Sequence, residues 1–189
     1  MSKNILLSVG RWLLLLPLTL LTKPVGWLTY PVVVLTCSES GWLPVSLRWW
    51  QTPDNPMDGD EGFKTLHAPF KGSVRGFKRW VNRVAWGYRN SLYGFKIEVL
   101  GYFLEYGFDL YYEGSVWKPS DRPATEGWAL RVSTNPSGTK AYHFVCFYRI
   151  YKEYCFDFMS GWKLWQTPEH GHKQYAFRCR IVRRAINDA

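Results

Sequence analysis

Acidic residues are missing where basic ones are densest. Residues 63–97 carry Lys64, Lys71, Arg75, Lys78, Arg79, Arg83, Arg89 and Lys96 with no Asp or Glu, whereas residues 1–62 and 98–189 carry net −1 and +2. Nearly all of the formal net charge of +9 is therefore local, which points to an anionic or lipidic partner. Cysteine is sparse as well. Cys37, Cys146, Cys155 and Cys179 contain no CxxC pair and no short-spaced cluster, so they read as separate reduced thiols packed as small apolar side chains. No GxGxxG or GxxxxGK loop is present, and His67, His143, His170 and His172 have no Ser or Cys at a GxSxG-type elbow. Those absences remove the sequence signatures of a phosphate cradle and of a hydrolase nucleophile. The 16 Gly follow no three-residue period, which excludes a collagen-like chain.

What the chain has in excess is aromatic and apolar surface. Hydrophobic residues make up 47% and aromatics 18%, including 11 Trp. That composition excludes a disordered chain, and rings with a polar tip concentrate at membrane interfaces and binding surfaces.

The apolar content is heaviest at the start. Residues 12–22 read WLLLLPLTLLT and residues 25–36 read VGWLTYPVVVLT, each about half of the ~20 residues a spanning helix needs. No small-x-small cleavage site follows Leu21, so the segment reads as retained rather than as a removed signal. Lys23-Pro24 separates the two runs, and Pro17 and Pro31 interrupt each half. Three arrangements fit: one kinked span over about 12–36, an interfacial or re-entrant hairpin of two half-helices, and a buried arm in a soluble protein or oligomer. The hairpin is preferred, because it keeps Lys23 out of the bilayer centre, where a charge costs ~3 kcal/mol or more. It also puts Lys3, Arg11 and the basic block on one side, the cytoplasmic side by the positive-inside rule. Trp12, Leu14, Leu16, Trp27 and Val33 are then the lipid-facing residues of the arm.

Within the basic block, Val74, Phe77, Val81, Val84, Ala85 and Tyr88 recur at helical spacing, predicting a helix from about Arg75 to Arg89. Arg75, Lys78, Arg79 and Arg83 fall on another face with Trp86 at its flank, the pattern of a helix on an anionic membrane surface. The alternative is a helix docked on its own domain with a solvated basic face. Basic residues interleaved with Trp are also compatible with nucleic acid, a role that an adjacent apolar arm disfavours.

Before this helix lies RWWQTPDNPMDGDEGF, residues 48–63. Its prolines, glycines and Asn55 predict turns. Asp58, Asp60 and Glu61 are close enough to share a hard cation, yet the stretch lacks the spacing of a calcium loop. Asx turns that cap a helix or pair with the basic block are the preferred reading, and no cofactor is expected. WQTP recurs at 165–168 without matching flanks, which two similar turns explain.

From residue 94 onward short aromatic and β-branched runs alternate with turn signals at 118–121, 135–138, 160–161 and 170–172. The runs include 102–106, 110–117, 128–133, 142–151, 154–159, 161–165 and 174–184, which predict an antiparallel meander, as a sandwich or small barrel. Tyr175, Phe177, Cys179 and Ile181 form the expected buried side of the last strand, with Arg178 and Arg180 facing out. His170 and His172 read as a loop, with a metal role as the lesser reading, and Asp109, Glu113, Glu153 and Asp157 supply acids that would need to meet in space for acid–base work.

The proline-broken apolar start, LRWWQTPDNPMDGDEGF (47–63), RVAWGYRNSLYGF (83–95), YRIY (148–151) and GWKLW (161–165) resemble an uncharacterised family of small proteins encoded by tailed bacteriophages and prophages. The resemblance implies an accessory protein associated with the host inner membrane, and implies no activity. The expected fold is α+β: an apolar helical hairpin or anchor over 1–40, an acidic loop over 41–70, and the basic helix with an antiparallel β domain over 71–189. The expected function is a non-enzymatic accessory protein on the cytoplasmic side of the host inner membrane, meeting anionic lipid and a host or phage protein. A virion component with its arm packed between subunits, and a metal-dependent enzyme using the acidic loop, are the alternatives.

Overall fold

A computed structural model of the chain describes residues 3–114, 126–164 and 169–183. The architecture is α+β, with a long apolar N-terminal helix and a five-stranded antiparallel sheet that does not close into a barrel. Two compact units form, residues 17–100 and residues 1–16 with 101–189. They cut across the segments that composition suggests, because helix α1 (Lys3–Val33) contributes to both.

Helix α1 is one continuous helix, which replaces the expected hairpin. Pro17, Pro24 and Pro31 all lie inside it. A proline removes one backbone bond and crowds the carbonyl four residues earlier, yet a spacing of seven keeps all three on nearly the same face. Lys23 needs no turn to escape the apolar run, since its Nζ donates to the Tyr88 carbonyl at 3.0 Å.

In the 17–100 unit, α2 (Gly76–Arg89) begins one residue after the expected start, followed by the short α3 (Tyr93–Glu98). Tyr30, Val34, Met57, Phe63, Val84, Trp86 and Leu92 form the core. Tyr30 anchors it: its hydroxyl donates to the Trp50 carbonyl at 2.6 Å and accepts from the Leu92 N–H at 3.0 Å. The ring presses on Gly87, where any Cβ would overlap it, so a residue without a side chain lets α1 and α2 meet. The interior face of α2 keeps part of the predicted stripe, with Val84 in the core and Ala85 and Tyr88 packed against it. Asn82, Arg83, Val84, Trp86 and Gly87 are buried, whereas Phe77 is exposed. The acidic loop accounts for the inward arginines, because Asp58 pairs with Arg79 and Arg83.

The other unit holds β1 (Tyr102–Leu104), β2 (Asp109–Gly114), β3 (Gly127–Thr134), β4 (Lys140–Tyr151), β5 (Tyr154–Trp162), β6 (Gly171–Lys173) and β7 (Tyr175–Arg183). The sheet order is β2-β3-β4-β5-β7, and β1 pairs separately with β6. Asn135 opens the expected 135–138 turn and ties it to β1, donating to the Phe103 carbonyl and accepting from the Glu105 N–H. Ser160-Gly161, expected as a turn, instead lies within β5. Gly161 has φ 99°, and a Cβ there would overlap the Tyr142 carbonyl, the signature of close backbone approach inside a sheet. His170-Gly171-His172 likewise runs into β6.

Strand β7 also departs from expectation. Tyr175 and Ala176 are both buried, Cys179 and Ile181 are exposed, and Arg178 and Arg180 turn to the carboxylate of Asp157. Asp157 pairs with Arg180 in the β5–β7 register, so the cations have a buried partner on the neighbouring strand. The second WQTP copy at 165–168 and the 118–121 turn lie outside the described residues, as does the end of the run at 110–117.

Candidate functional site

The exposed surface of α1 is apolar, while its buried side mixes Trp12, Tyr30 and Val33 with hydroxyl residues. Ser8, Thr19 and Thr22 are buried. Leu6, Leu7, Leu13, Leu14, Leu18, Leu20, Leu21, Trp27, Leu28 and Val32 are exposed, with Leu14 and Leu28 at 81% and 80%. Water-soluble helices do the opposite. Around 5–36 the helix is long and apolar enough to cross a membrane.

The buried stripe is held in two places. In the sheet unit, the Trp12 indole stacks on Tyr175 with centroids 5.7 Å apart and planes 3° apart. Its Nε1 donates to the Ala176 carbonyl at 3.1 Å, and the Tyr175 hydroxyl donates back to the Trp12 carbonyl at 2.8 Å. In the 17–100 unit, the Trp50 indole donates to Thr29 Oγ1 at 2.8 Å, Trp80 Nε1 donates to the Pro31 carbonyl at 3.0 Å, and Tyr88 donates to the Trp27 carbonyl at 3.2 Å. Trp27 O is the acceptor that Pro31, four residues on, leaves without its helical N–H.

The basic block is partly consumed by its own loop. Both oxygens of Asp58 accept from Arg79, at 2.8 and 2.6 Å, and from Arg83, at 2.9 and 3.0 Å. The guanidiniums reach onward to the carbonyls of Glu39 and Ser38. Burial pushes the Asp58 carboxyl up, but the hydrogen bonds and charges of the two arginines outweigh it and hold it well below the usual carboxylate range. Asp60 caps the next turn, its Oδ1 accepting from the Phe63 N–H at 2.6 Å. The loop thus takes both structural roles expected of it.

These contacts reassign several residues expected to touch lipid. Trp12, Val33, Arg83 and Trp86 are buried, Trp86 at 3% exposure against Phe63 at 5.1 Å between centroids, so none presents its side chain to a bilayer. Arg79 is held by Asp58. Leu14 and Trp27 remain outward, Leu16 is half-buried, and Arg75, just before α2, and Lys78 on it stay exposed. Phe77, assigned to the core by its spacing, stands exposed against Trp80 with centroids 5.5 Å apart.

The metal candidates separate in the same way. Asp58 is saturated by guanidiniums and Asp60 is a cap, so they do not share a cation with Glu61. Among the described residues no three His, Cys, Asp or Glu side chains are grouped to hold a metal. His170 and His172 lie edge-on to Tyr106 and Phe103. Asp157 binds Arg178 and Arg180, Glu153 binds Arg183, and Glu113 accepts from the Tyr111 hydroxyl, so each of these acids is engaged separately.

A family model described as a family of unknown function (DUF7338) matches residues 3–187, nearly the whole chain. The chain belongs to the DUF7338 family. Neither a curated protein nor a solved structure matches it. The match includes α1 as well as the sheet, so the apolar helix lies within the region that defines DUF7338 rather than being an appendage to it.

One buried polar group in the sheet unit carries no signal in the sequence. Arg131 on β3 and His143 on β4 face each other in register, and both reach the Leu164 carbonyl, at 3.4 and 3.1 Å. Burial, with the nearby charges of Arg131, Lys163 and Arg178, pushes the His143 imidazole down to about 3, so it is neutral near pH 7.

Proposed function

We propose that the protein is a non-enzymatic, phage-encoded accessory protein held at the cytoplasmic face of the host inner membrane. Helix α1 lies in the interfacial plane, and the sheet unit meets a host or phage partner. The observation that carries this reading is the apolar exposed face of α1, a row of leucines outward, with Ser8, Thr19 and Thr22 among the residues turned inward. Burying a leucine fully stabilises by about 1.5–3 kcal/mol, so an exposed row of this length calls for an apolar surrounding. Small and hydroxyl residues at helix contacts are how helices pack in lipid. An orientation in the plane is supported by the buried positions Ser8, Trp12, Thr19, Thr22, Gly26, Tyr30 and Val33, which are never more than seven residues apart. That leaves no stretch near the ~20 residues of a span free of protein. Exposed Phe77 and Lys78 on α2, with Arg75 at its start, supply the aromatic and basic flank such a helix uses. The phage setting rests on the resemblance carried by 47–63 and 83–95.

Fractionation of the full-length protein expressed in bacteria tests this reading. The expected result is recovery with membranes through a high-salt wash, because hydrophobic insertion is not screened. Recovery in the supernatant without salt would overturn it. The leucine row would then be covered by protein, as in a virion component packed between subunits.

A further inference from the structure

A cavity of about 390 Å³ opens in the 17–100 unit beside α2, lined by Asp58, Lys64, Phe70, Arg75, Arg79 and Asn82 together with the 72–74 backbone. We infer that it binds a phosphate-type anion, gripped by Lys64 and Arg75 from separate elements. Three cations line it against one carboxylate, and that carboxylate is already bound by Arg79 and by Arg83 behind it. Lys64 and Arg75 are exposed and form no ion pair with any described residue. Their charge is therefore available to a ligand. Arg75 offers a planar fork of donors and Lys64 a point charge, a pairing suited to an oxyanion with several acceptors.

The walls are fixed before any ligand arrives. Asn82 is buried and clamps the Phe70 backbone in both directions, accepting from its N–H at 3.0 Å and donating to its carbonyl at 2.8 Å. Lys78 lies over the Phe70 ring at 5.7 Å. Lys64 sits in the turn that Asp60 caps, and Arg79 is oriented by Asp58. A volume near 390 Å³ falls within the ~300–1,000 Å³ typical of small-molecule sites and leaves room for a substituent on the phosphate. The chemistry is the same for a free phosphate and for a lipid phosphomonoester headgroup, and the inference does not depend on how α1 meets a membrane.

The test uses the full chain and its Lys64→Ala/Arg75→Ala variant, with Lys64→Gln/Arg75→Gln as a second variant should the first fail to fold. Inorganic phosphate is titrated by calorimetry at constant ionic strength. In parallel, flotation is measured with phosphatidylcholine vesicles with and without phosphatidic acid. Phosphate binding that weakens about tenfold or more in the variant supports the site with a free anion as ligand. A phosphatidic-acid-dependent gain in flotation that the variant lacks supports it with a headgroup as ligand. Equal phosphate responses together with equal phosphatidic-acid gains in wild type and variant would overturn it. Binding to phosphatidylcholine alone reports on α1 and separates failure of the membrane reading from failure of this one.

Discussion

The Tyr88 hydroxyl donates to the Trp27 carbonyl at 3.2 Å, and that carbonyl is the one Pro31 deprives of its helical partner. A side chain from the basic helix thereby completes the backbone of the apolar one. The same helix gives its Tyr88 carbonyl to Lys23 at 3.0 Å. One residue of α2 thus meets two demands of a proline-containing apolar helix, an orphaned acceptor and a misplaced cation.

Tyr88→Phe is expected to destabilise the protein by about 0.5–1 kcal/mol, the net worth of one hydrogen bond. In a Pro31→Ala background the helical N–H returns, and the same substitution is expected to cost less. Urea unfolding of the four proteins of this cycle measures the coupling. A Tyr88→Phe cost that does not change with Pro31 would contradict the account.

Asp58 holds two guanidiniums, and Arg83 is the more enclosed, with 9% of its side chain exposed against 35% for Arg79. Asp58→Asn leaves Arg83 poorly paired in the interior and is expected to cost about 3 kcal/mol. Arg79→Ala is expected to cost about 1 kcal/mol or less. Because the Asp58 pKa is depressed on folding, its contribution is complete above pH about 4, the ordinary carboxylate value. It is lost as the pH falls below that value toward the folded-state pKa. Unfolding free energies at pH 7 and at stepwise lower pH check both the size and the direction.

His143 predicts a second acid sensitivity at a higher pH. Its folded-state pKa is about 3 against an ordinary 6.5, so the unfolded chain binds a proton throughout that interval and the folded one does not. Stability attributable to this residue is therefore full above pH 6.5 and declines as the pH falls toward 3, by about 1.4 kcal/mol per unit. Between pH 6 and 4.5 the slope should shrink in His143→Gln. Thermal unfolding across that range reads it, and an unchanged slope in the variant would show that another group titrates.

Legibility in the sequence followed the range of the interactions. The start of α2 near Arg75, the 135–138 turn and most strands of the sheet are set by neighbouring residues, through periodicity and turn chemistry. The pairing of the acidic loop with the basic block was legible from charge segregation. The face of α2 was legible only in part, through Val84, Ala85 and Tyr88. Spacing marked Arg83 as surface, and Asp58, 25 positions away in the chain, draws it inward, while Phe77, marked as core, is exposed. The hairpin expected at Lys23-Pro24 failed for the same reason, because Tyr88 lies 65 residues beyond Lys23. Trp12 reads locally as an interfacial residue, but its stacking on Tyr175 depends on a strand at the far end of the chain.

The membrane role of the apolar exposed face of α1 is tested most directly by flotation of the purified full-length protein with phosphatidylcholine vesicles, alongside a Leu14→Glu/Leu28→Glu variant. Both leucines are about four-fifths exposed, so the variant should keep its fold and thermal stability while placing two charges where lipid is expected. Wild-type protein that floats, with a folded variant that stays at the bottom of the gradient, is the predicted result. Wild-type protein that remains with the soluble fraction, or a folded variant that floats equally well, would contradict the membrane assignment of α1.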